Sequence, residues 1–380
     1  MASTGQEMNG HPGVDVRSAP RSGSYSQAGA TGPPRSAYAE LRRLIEERGL
    51  LDRRPVYYGL QIMLALGLFS VSATLLVLID VLWVQLLNAV FLAFIFQLFV
   101  FIGHDSAHRQ VTRSVRNNDR IALLFWNLLM GVSKSWWFGR HNRHHAKTNR
   151  VDEDPDAELW FLCFSEEAAC KKRGTERLLL KYQVFLAPLL SLYPVVLRYF
   201  TFRFLVWVKG SDVGEVPAPQ RYSPLEVSLV AVHFLLYFGL LFYVLGVWQA
   251  GLFALIHQGL WGLYYASVTA TNHKGMPVLG KGDELDFLHQ QVITSRNVKS
   301  HPVVDFLFGG LNFQIEHHLF PTMPRNKLKE AQTIVRPFCE ERSISYCETG
   351  LLESYRDIMG SLRETSLVAR ESLAQDGVGN

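Results

Sequence analysis

Four apolar runs constrain the fold of this chain most strongly, because each is about as long as a lipid bilayer is thick. They cover residues 58–79, 81–103, 227–247 and 251–271. A membrane-spanning helix needs about 20 apolar residues, since each residue adds about 1.5 Å of length. Only a short turn separates the two runs of each pair. The sequence therefore predicts an all-α polytopic membrane protein with four transmembrane helices in two hairpins.

Basic residues predict how these hairpins are oriented. Residues 104–150 carry nine lysines and arginines, whereas the turn between the last two runs carries none. Loops rich in lysine and arginine stay on the cytoplasmic side of a membrane. We therefore expect a multi-pass integral membrane protein whose functional site and both termini are cytoplasmic. The formal net charge of +4 is too small to indicate a nucleic acid partner.

The segments outside the apolar runs differ in composition. Residues 1–35 are rich in Gly, Ser, Pro and Ala, which predicts a disordered tail. Residues 36–55 predict an amphipathic helix on the membrane surface, with leucines toward the lipid and arginines toward anionic headgroups. Residues 351–380 predict a C-terminal helix and tail. The four cysteines form no C-x-x-C pair, so we expect free, reduced thiols.

Residues 178–207 are ambiguous, because prolines and arginines interrupt an otherwise apolar segment. If this segment crossed the membrane once, the later histidines would lie on the opposite side from the earlier ones. We therefore interpret it as an interfacial segment or a half-inserted hairpin. A linker rich in Gly, Pro and Asp, residues 209–221, then leads to the second hairpin.

Three histidine clusters follow predicted spans on the same side of the membrane. His104 and His108 read H-x-x-x-H, and residues 141–145 read H-x-x-H-H. Residues 314–318 repeat the second pattern with Gln314 in the first position. Residues three and four apart share one face of a helix. We therefore expect each cluster to direct its imidazoles at a single point.

These imidazoles predict a metal centre. Imidazole suits iron, zinc and copper, and a nitrogen-rich set without paired thiolates does not resemble a structural zinc site. The clustered histidines exceed what one tetrahedral ion can use, which indicates two metal ions, with iron as the metal. His273 is added as a further candidate, because it follows a span at the depth of His104. The predicted ligands are His104, His108, His141, His144, His145, His273, His317 and His318.

Polar residues beside these histidines are predicted to support them, since metal-bound imidazoles usually donate their other N–H to a carboxylate or carbonyl. The candidates for this supporting role are Asp105, Asn142, Asn272, Gln314 and Glu316. Gln314 is also expected to hydrogen-bond a metal-bound water. Asn149, Asp152, Asp154 and Asp156, in the acidic stretch 149–156, either orient His144 and His145, bind the arginine-rich segments or form a solvated loop, and the sequence leaves these interpretations open.

Iron ligated by nitrogen beside a bilayer indicates an oxidative function. Ferrous iron reduces dioxygen, and the resulting oxidant can remove hydrogen from unactivated C–H bonds, of which lipid acyl chains are the nearest source. Four aromatic residues are candidates to line a slot for such a chain, although each could equally be an interfacial residue. They are Trp136, Trp137, Trp261 and Tyr265. A metal carrier or sensor would instead require polar residues along the spans, which are largely apolar.

The clusters HDSAH, HNRHH and QIEHH resemble, in order and spacing, the histidine boxes of the integral-membrane fatty acid desaturase family. The resemblance covers residues 55–350. The run QIEHHLFP and the D-x-D-P-D pattern after the second box resemble the acyl-lipid and front-end branch of that family. The stretches 271–276 and 294–298 resemble its bacterial members.

The resemblance implies a membrane desaturase domain at residues 56–350, with a cytoplasmic helical cap that holds a histidine-rich diiron site. It implies an O2-dependent enzyme that introduces a cis double bond into a fatty acyl chain, supplied as acyl-CoA or acyl-lipid. The electron donor would be an external ferredoxin, or a cytochrome b5 with its reductase, docking on the basic residues of 109–150. A fatty acyl or lipid hydroxylase or ketolase with the same diiron site remains an alternative.

Overall fold

The described chain is almost entirely helical, as the sequence predicts. The structure is a computed structural model that describes residues 36–157, 162–206, 223–280 and 282–378. The predicted tail, 1–35, and the predicted linker, 209–221, lie outside the described residues. The first helices are α1 (Ala37–Glu47), α2 (Pro55–Leu78), α3 (Leu82–Ala107), α4 (Val115–Ala122), a π-helix (Leu123–Leu129) and α5 (Lys134–Lys147).

The elements after α5 fall into a group of short helices, a second hairpin and a C-terminal group. The short helices are α6 (Glu166–Lys171), α7 (Gly174–Leu180), α8 (Gln183–Leu186), a 3₁₀ helix (Ala187–Leu192) and α9 (Tyr193–Val206). The second hairpin comprises α10 (Pro224–Leu245) and α11 (Val247–His273). The C-terminal group comprises α12 (Phe287–Ile293), β1 (Asn297–Val298), α13 (Pro302–Leu307), α14 (Gln314–Leu319), a 3₁₀ helix (Arg325–Lys327), α15 (Leu328–Glu341), β2 (Glu348–Thr349) and α16 (Leu351–Val378). Strands β1 and β2 pair in parallel.

Two antiparallel hairpins, α2–α3 and α10–α11, organise the fold. Gly246 joins α10 to α11 with a φ of 72°, a left-handed conformation that glycine adopts without steric cost. Helices α3 and α11 pack against each other and both end at predicted ligands, because His104 lies in the last turn of α3 and His273 ends α11. Both hairpin turns therefore lie at the end of the bundle remote from the histidines.

Three of the described helices, α2, α3 and α10, are long and apolar enough to cross a membrane. They indicate an integral membrane protein. The predicted fourth span, 251–271, coincides with α11 but does not reach the same apolarity. Polar residues such as His257 and Gln258 in the middle of α11 account for this difference. The four-span arrangement is therefore not confirmed.

Most buried polar side chains of the first hairpin are paired inside the protein. The Gln85 amide donates to the carbonyl oxygens of Leu75 and Ile79. Asn88 donates to the Ser72 carbonyl at 3.0 Å and accepts from the Ser72 hydroxyl at 2.7 Å. Backbone and side-chain polar groups inside a membrane require such partners, because no water is available to replace them.

The described part of the ambiguous segment 178–207 contains only short helices. The longest of them, α9, has 14 residues, which corresponds to about 21 Å and is shorter than the hydrocarbon core of a bilayer. Arg198 attaches α9 to its neighbours, since its guanidinium donates to Gln258 at 2.6 Å and to the Met130 carbonyl at 3.0 Å. The 3₁₀ helix and α9 pack along α11, whereas α7 and α8 pack against α16.

Helix α1 differs from its prediction as a membrane-surface helix. Its apolar face, with Leu41 and Ile45, is buried in a cluster that includes α12, α14 and α15. The Tyr38 hydroxyl donates to the Leu319 carbonyl at 2.9 Å. Amphipathic periodicity identifies an apolar face but not the surface that covers it, and here that surface is the C-terminal group of helices.

Candidate metal centre

Helix α3 presents the first histidine cluster at its C-terminal end. His104 lies in the last turn and His108 is the C-cap residue, so the H-x-x-x-H spacing places both imidazoles on one face, as predicted. Their ring centroids are 4.7 Å apart. Asp105 accepts a hydrogen bond from His104 Nδ1 at 3.1 Å, which leaves Nε2 of His104 as the nitrogen available to a metal.

Helix α5 presents the second cluster. Ser133 caps its N-terminus, with Oγ accepting from the Trp136 backbone N–H at 3.2 Å. His141 and His145 are four residues apart and lie on one face of the helix, whereas His144 is directed to a neighbouring group. The indole of Trp137 stacks on the His141 ring at a centroid distance of 4.4 Å.

The candidate ligands form two adjacent groups, in each of which the ligand atoms lie within 4.8 Å of one another. The first group comprises His104, His108, His141, His145 and His317. The second group comprises His144, His273 and His318. The expectation that each cluster directs its imidazoles at a single point is wrong for the second and third clusters. Successive side chains on a helix diverge by about 100°, so adjacent histidines such as His317 and His318 serve different groups.

The chemistry of these nitrogen atoms fits metal cations. Burial, together with the neighbouring imidazoles, holds the pKa values of five rings well below their usual range, so these rings are neutral. The five are His108, His141, His145, His317 and His318. Nε2 of His141 lies 2.9 Å from Nε2 of His108 and 3.1 Å from Nε2 of His145. Neither nitrogen of His317 has a hydrogen-bond partner among the described residues, and converging neutral imidazoles of this kind are the form that binds metal.

The rings of the second group are oriented by hydrogen bonds at their Nδ1 atoms. Asp154 accepts from His144 Nδ1 with both oxygens, at 2.9 and 3.0 Å. Gln291 Oε1 lies 2.8 Å from His318 Nδ1, and the Thr294 carbonyl lies 3.2 Å from His273 Nδ1. Each of these bonds directs the Nε2 atom of its ring toward the centre of the group.

Asp154 resolves the interpretation that the sequence left open for the acidic stretch. Its carboxylate also accepts from the backbone N–H groups of Asn149 and Asp156, both at 2.8 Å. Burial alone would raise the Asp154 pKa, but His144 outweighs burial and lowers it. Asp154 therefore remains ionised, and the stretch folds around it rather than forming a solvated loop. Asp152, in contrast, is exposed and pairs with Lys171.

The other predicted supporting residues have different positions. Asn272 donates to Gln314 Oε1 at 3.0 Å, and Gln314 Nε2 lies 3.0 Å from His273 Nε2, so Gln314 contacts a candidate ligand directly. Glu316 forms no hydrogen bond with an imidazole of the described residues; it accepts from Tyr346 and Asn297, and burial raises its pKa to about 7. Asn142 is exposed, because its position on α5 is turned away from the ligand-bearing face.

Arg325 is a buried residue beside the candidate metal centre that no sequence motif indicated. It forms a buried ion pair with Asp105 and donates to the Gly309 carbonyl at 2.9 Å. Burial disfavours its charge, but Asp105 outweighs burial and raises the Arg325 pKa. The pair attaches the C-terminal group to α3 at the carboxylate that orients His104.

We predict that Arg325→Met destabilises the protein by about 3–5 kcal/mol, because it leaves the buried Asp105 carboxylate without its cationic partner. Thermal unfolding of the purified protein in detergent measures this. Lys327→Met is the matched control, since Lys327 pairs with a half-exposed Glu330. Equal unfolding temperatures for Arg325→Met and the control would contradict the assignment.

A cavity of about 140 Å³ lies beside the two histidine groups. Its lining includes His104, His141, His144 and His273, and its walls are mainly apolar. Trp137 and Tyr265 line this cavity, and the Trp137 indole donates to the Tyr265 hydroxyl at 3.4 Å. The prediction is wrong for the other two aromatic residues, because they are buried in the bundle: Trp136 stacks on Phe200 and Trp261 packs against Phe96.

Comparison with known proteins identifies the family. A family model described as "Fatty acid desaturase" matches residues 81–350. The chain belongs to the fatty acid desaturase family. It is an oxidoreductase of lipid metabolism, and the buried histidine groups correspond to the metal site typical of these enzymes.

Individual desaturases are similar over most of the chain. The Delta(6)-fatty-acid desaturase fat-3 of Caenorhabditis elegans is 31% identical over 334 residues, which cover 84% of this chain and 72% of the relative. The Acyl-lipid (9-3)-desaturase of Physcomitrium patens is 27% identical, covering 89% of this chain and 64% of the relative. The Delta(8)-fatty-acid desaturase of Euglena gracilis is 28% identical, covering 83% of this chain and 76% of the relative.

Proposed function

We propose that this desaturase is an O2-dependent enzyme that introduces a cis double bond into a fatty acyl chain at a histidine-ligated diiron centre. The observation that carries the proposal is the arrangement of two groups of converging imidazoles beside one mainly apolar cavity. Iron ions bound there would supply the activation of dioxygen and the removal of hydrogen from unactivated methylenes. Dioxygen is thus the proposed co-substrate.

The residues of the chain would bind the metals and shape the site. The first group offers five imidazoles and the second offers three, which supports one ion in each. Asp105 and Asp154 would orient His104 and His144 and balance part of the cationic charge. Trp137 covers one side of His141 and also lines the cavity, so it would hold the acyl chain near the ligands and exclude water.

The proposed substrate rests on similarity to known desaturases, and the proposed topology rests on the distribution of basic residues along the chain. The names of the relatives, which include Delta(6), Delta(8) and acyl-lipid desaturases, support a front-end desaturase acting on an acyl-CoA or acyl-lipid. We propose that α11 is the fourth span, which would place all histidines and both termini in the cytoplasm. The bacterial type indicated by residues 271–276 and 294–298 stays a prediction.

The proposed electron donor is an external ferredoxin or a cytochrome b5 with its reductase. Of the nine basic residues in 104–150, five contact acceptors within the protein, such as Lys134 with Asp119 and Arg140 with Asp156. Four others are exposed, and none forms an ion pair with a described residue: Arg109, Arg113, Arg116 and Arg120. They follow His108 directly, which supports docking of an acidic donor beside the metal centre.

We predict that reversing three of these charges, in Arg113→Glu/Arg116→Glu/Arg120→Glu, raises the KM for a ferredoxin roughly tenfold. The dependence of this KM on salt concentration should become weaker. Steady-state kinetics with ferredoxin and its reductase measure this. Arg356→Glu/Arg363→Glu, at exposed positions of α16, is the control and should leave the KM unchanged. An unchanged KM in the triple variant would exclude this surface as the dock.

Product analysis tests the proposed reaction and separates it from hydroxylation or ketolation. The chain is expressed in a host with few desaturases, and fatty acid methyl esters are analysed by gas chromatography with mass spectrometry. Desaturation predicts a product lighter than its substrate by two hydrogen atoms. A product heavier by one oxygen atom would support the hydroxylase alternative instead.

A further inference from the structure

Gln97 is a buried polar residue in the cavity beside the histidine groups. Its side chain is 1% exposed, and its amide oxygen has no hydrogen-bond partner among the residues that the structure describes. It lines the cavity together with apolar residues such as Val100 and Val268. The other buried amides of α3, those of Gln85 and Asn88, are paired inside the protein. Gln97 is thus the exception in its own helix.

The position of Gln97 relates it to the acyl chain. Gln97 precedes His104 by seven residues on α3, which corresponds to about 10 Å along the helix axis. Because α3 runs from the hairpin turn to the histidines, Gln97 lies deeper in the bundle than the metal centre. A chain whose carbons are oxidised beside His104 would extend its methyl end toward this amide.

Resting on the proposed function, we propose that Gln97 is a specificity-determining residue that limits the length of chain beyond the oxidised carbons. A methylene offers no hydrogen bond to the amide. A chain that ends before Gln97 leaves room for a water that pairs with the amide, whereas a longer saturated chain displaces that water and leaves the amide unpaired. A buried unpaired polar group is costly, and a site that contains one discriminates against ligands that cannot satisfy it.

Two substitutions separate polarity from space. Gln97→Met keeps the length of the side chain but removes its amide, and Gln97→Ala removes most of the side chain. If the amide sets the limit, Gln97→Met should raise conversion of chains longer by about two to four carbons roughly tenfold, relative to the preferred length. The measurement is the product profile of cells that express each variant and are fed saturated fatty acids of graded length.

Two results would overturn the proposal. One is an unchanged chain-length profile in Gln97→Met. The other is a shift confined to Gln97→Ala, since it would show that space rather than polarity sets the limit. Inactive wild-type protein would instead remove the proposed function itself, so the two failures are distinguishable.

A wild-type experiment tests the same proposal if Gln97→Met accumulates poorly. A terminal hydroxyl can donate to the Gln97 amide oxygen, so the wild type should convert a longer chain with a terminal hydroxyl better than the methyl-ended chain of equal length. Equal conversion of the two chains would contradict the role of the amide.

Discussion

We expect His317→Ala to abolish desaturation, with a loss of at least about 100-fold, while the protein still inserts into membranes. His317 is fully buried in the first histidine group, and its ring centroid lies 4.7 Å from that of His104 and 4.9 Å from those of His108 and His145. Its pKa is held well below the usual range by burial, so it is neutral and suited to bind metal. Loss of a ligand costs far more than loss of a supporting residue, which typically costs 10–100-fold.

The measurement combines product analysis with iron content of the purified variant. His301→Asn is the matched control, because His301 is exposed and caps α13, a role that Asn also fulfils. The control should retain activity and iron. If His317→Ala formed product at the wild-type rate, His317 would not belong to the metal centre.

The second large effect is expected for Asp154→Asn. The substitution keeps the shape of the side chain but removes the charge that pairs with His144. Both carboxylate oxygens of Asp154 accept hydrogen bonds from His144, Asn149 and Asp156, whereas an amide has only one oxygen that can accept. We predict a loss of about 10–100-fold in metal affinity or activity. Asp152→Asn, two residues earlier in the same loop and exposed, should have no measurable effect.

Titration of the metal-free protein with ferrous iron under anaerobic conditions measures this difference. Comparable iron affinities for Asp154→Asn and Asp152→Asn would show that Asp154 does not orient a ligand. Circular dichroism of both variants provides the control for folding, because Asp154 also organises the backbone of its loop.

The sequence predicts the local parts of this site well, because helical periodicity is a local property. The spacing of His104 and His108 and the end of α3 beside them agree with the structure. The division of His144 from His145, and of His317 from His318, was not predicted. The spacing of histidines along a helix shows which residues share a face, but it does not show how many metal sites lie opposite that face.

Partners distant in sequence were also not predicted. Gln291 contacts His318, and Arg325 pairs with Asp105 across 220 positions of the chain. Neither residue lies in a pattern that distinguishes it from a surface residue. Their roles arise from the packing of the C-terminal group onto α3 and α5, which is a tertiary property.

The apolar segments show a similar limit. The length of the apolar runs predicts the extent of the helices in the first hairpin. It does not predict which surface covers α1, since lipid and protein can both bury an apolar helix face. The polar centre of α11 likewise reflects contacts such as the Tyr237 hydroxyl with His257 at 2.6 Å. Hydropathy alone does not reveal that such groups are paired.

Metal stoichiometry of the purified wild-type protein tests the central claim most directly. Elemental analysis, with Mössbauer spectroscopy of protein produced on enriched iron, identifies the metal and counts the ions per chain. Five imidazoles in one group and three in the other predict two iron ions per chain in a coupled pair. A single ion per chain, or stoichiometric zinc in an active preparation, would contradict this account.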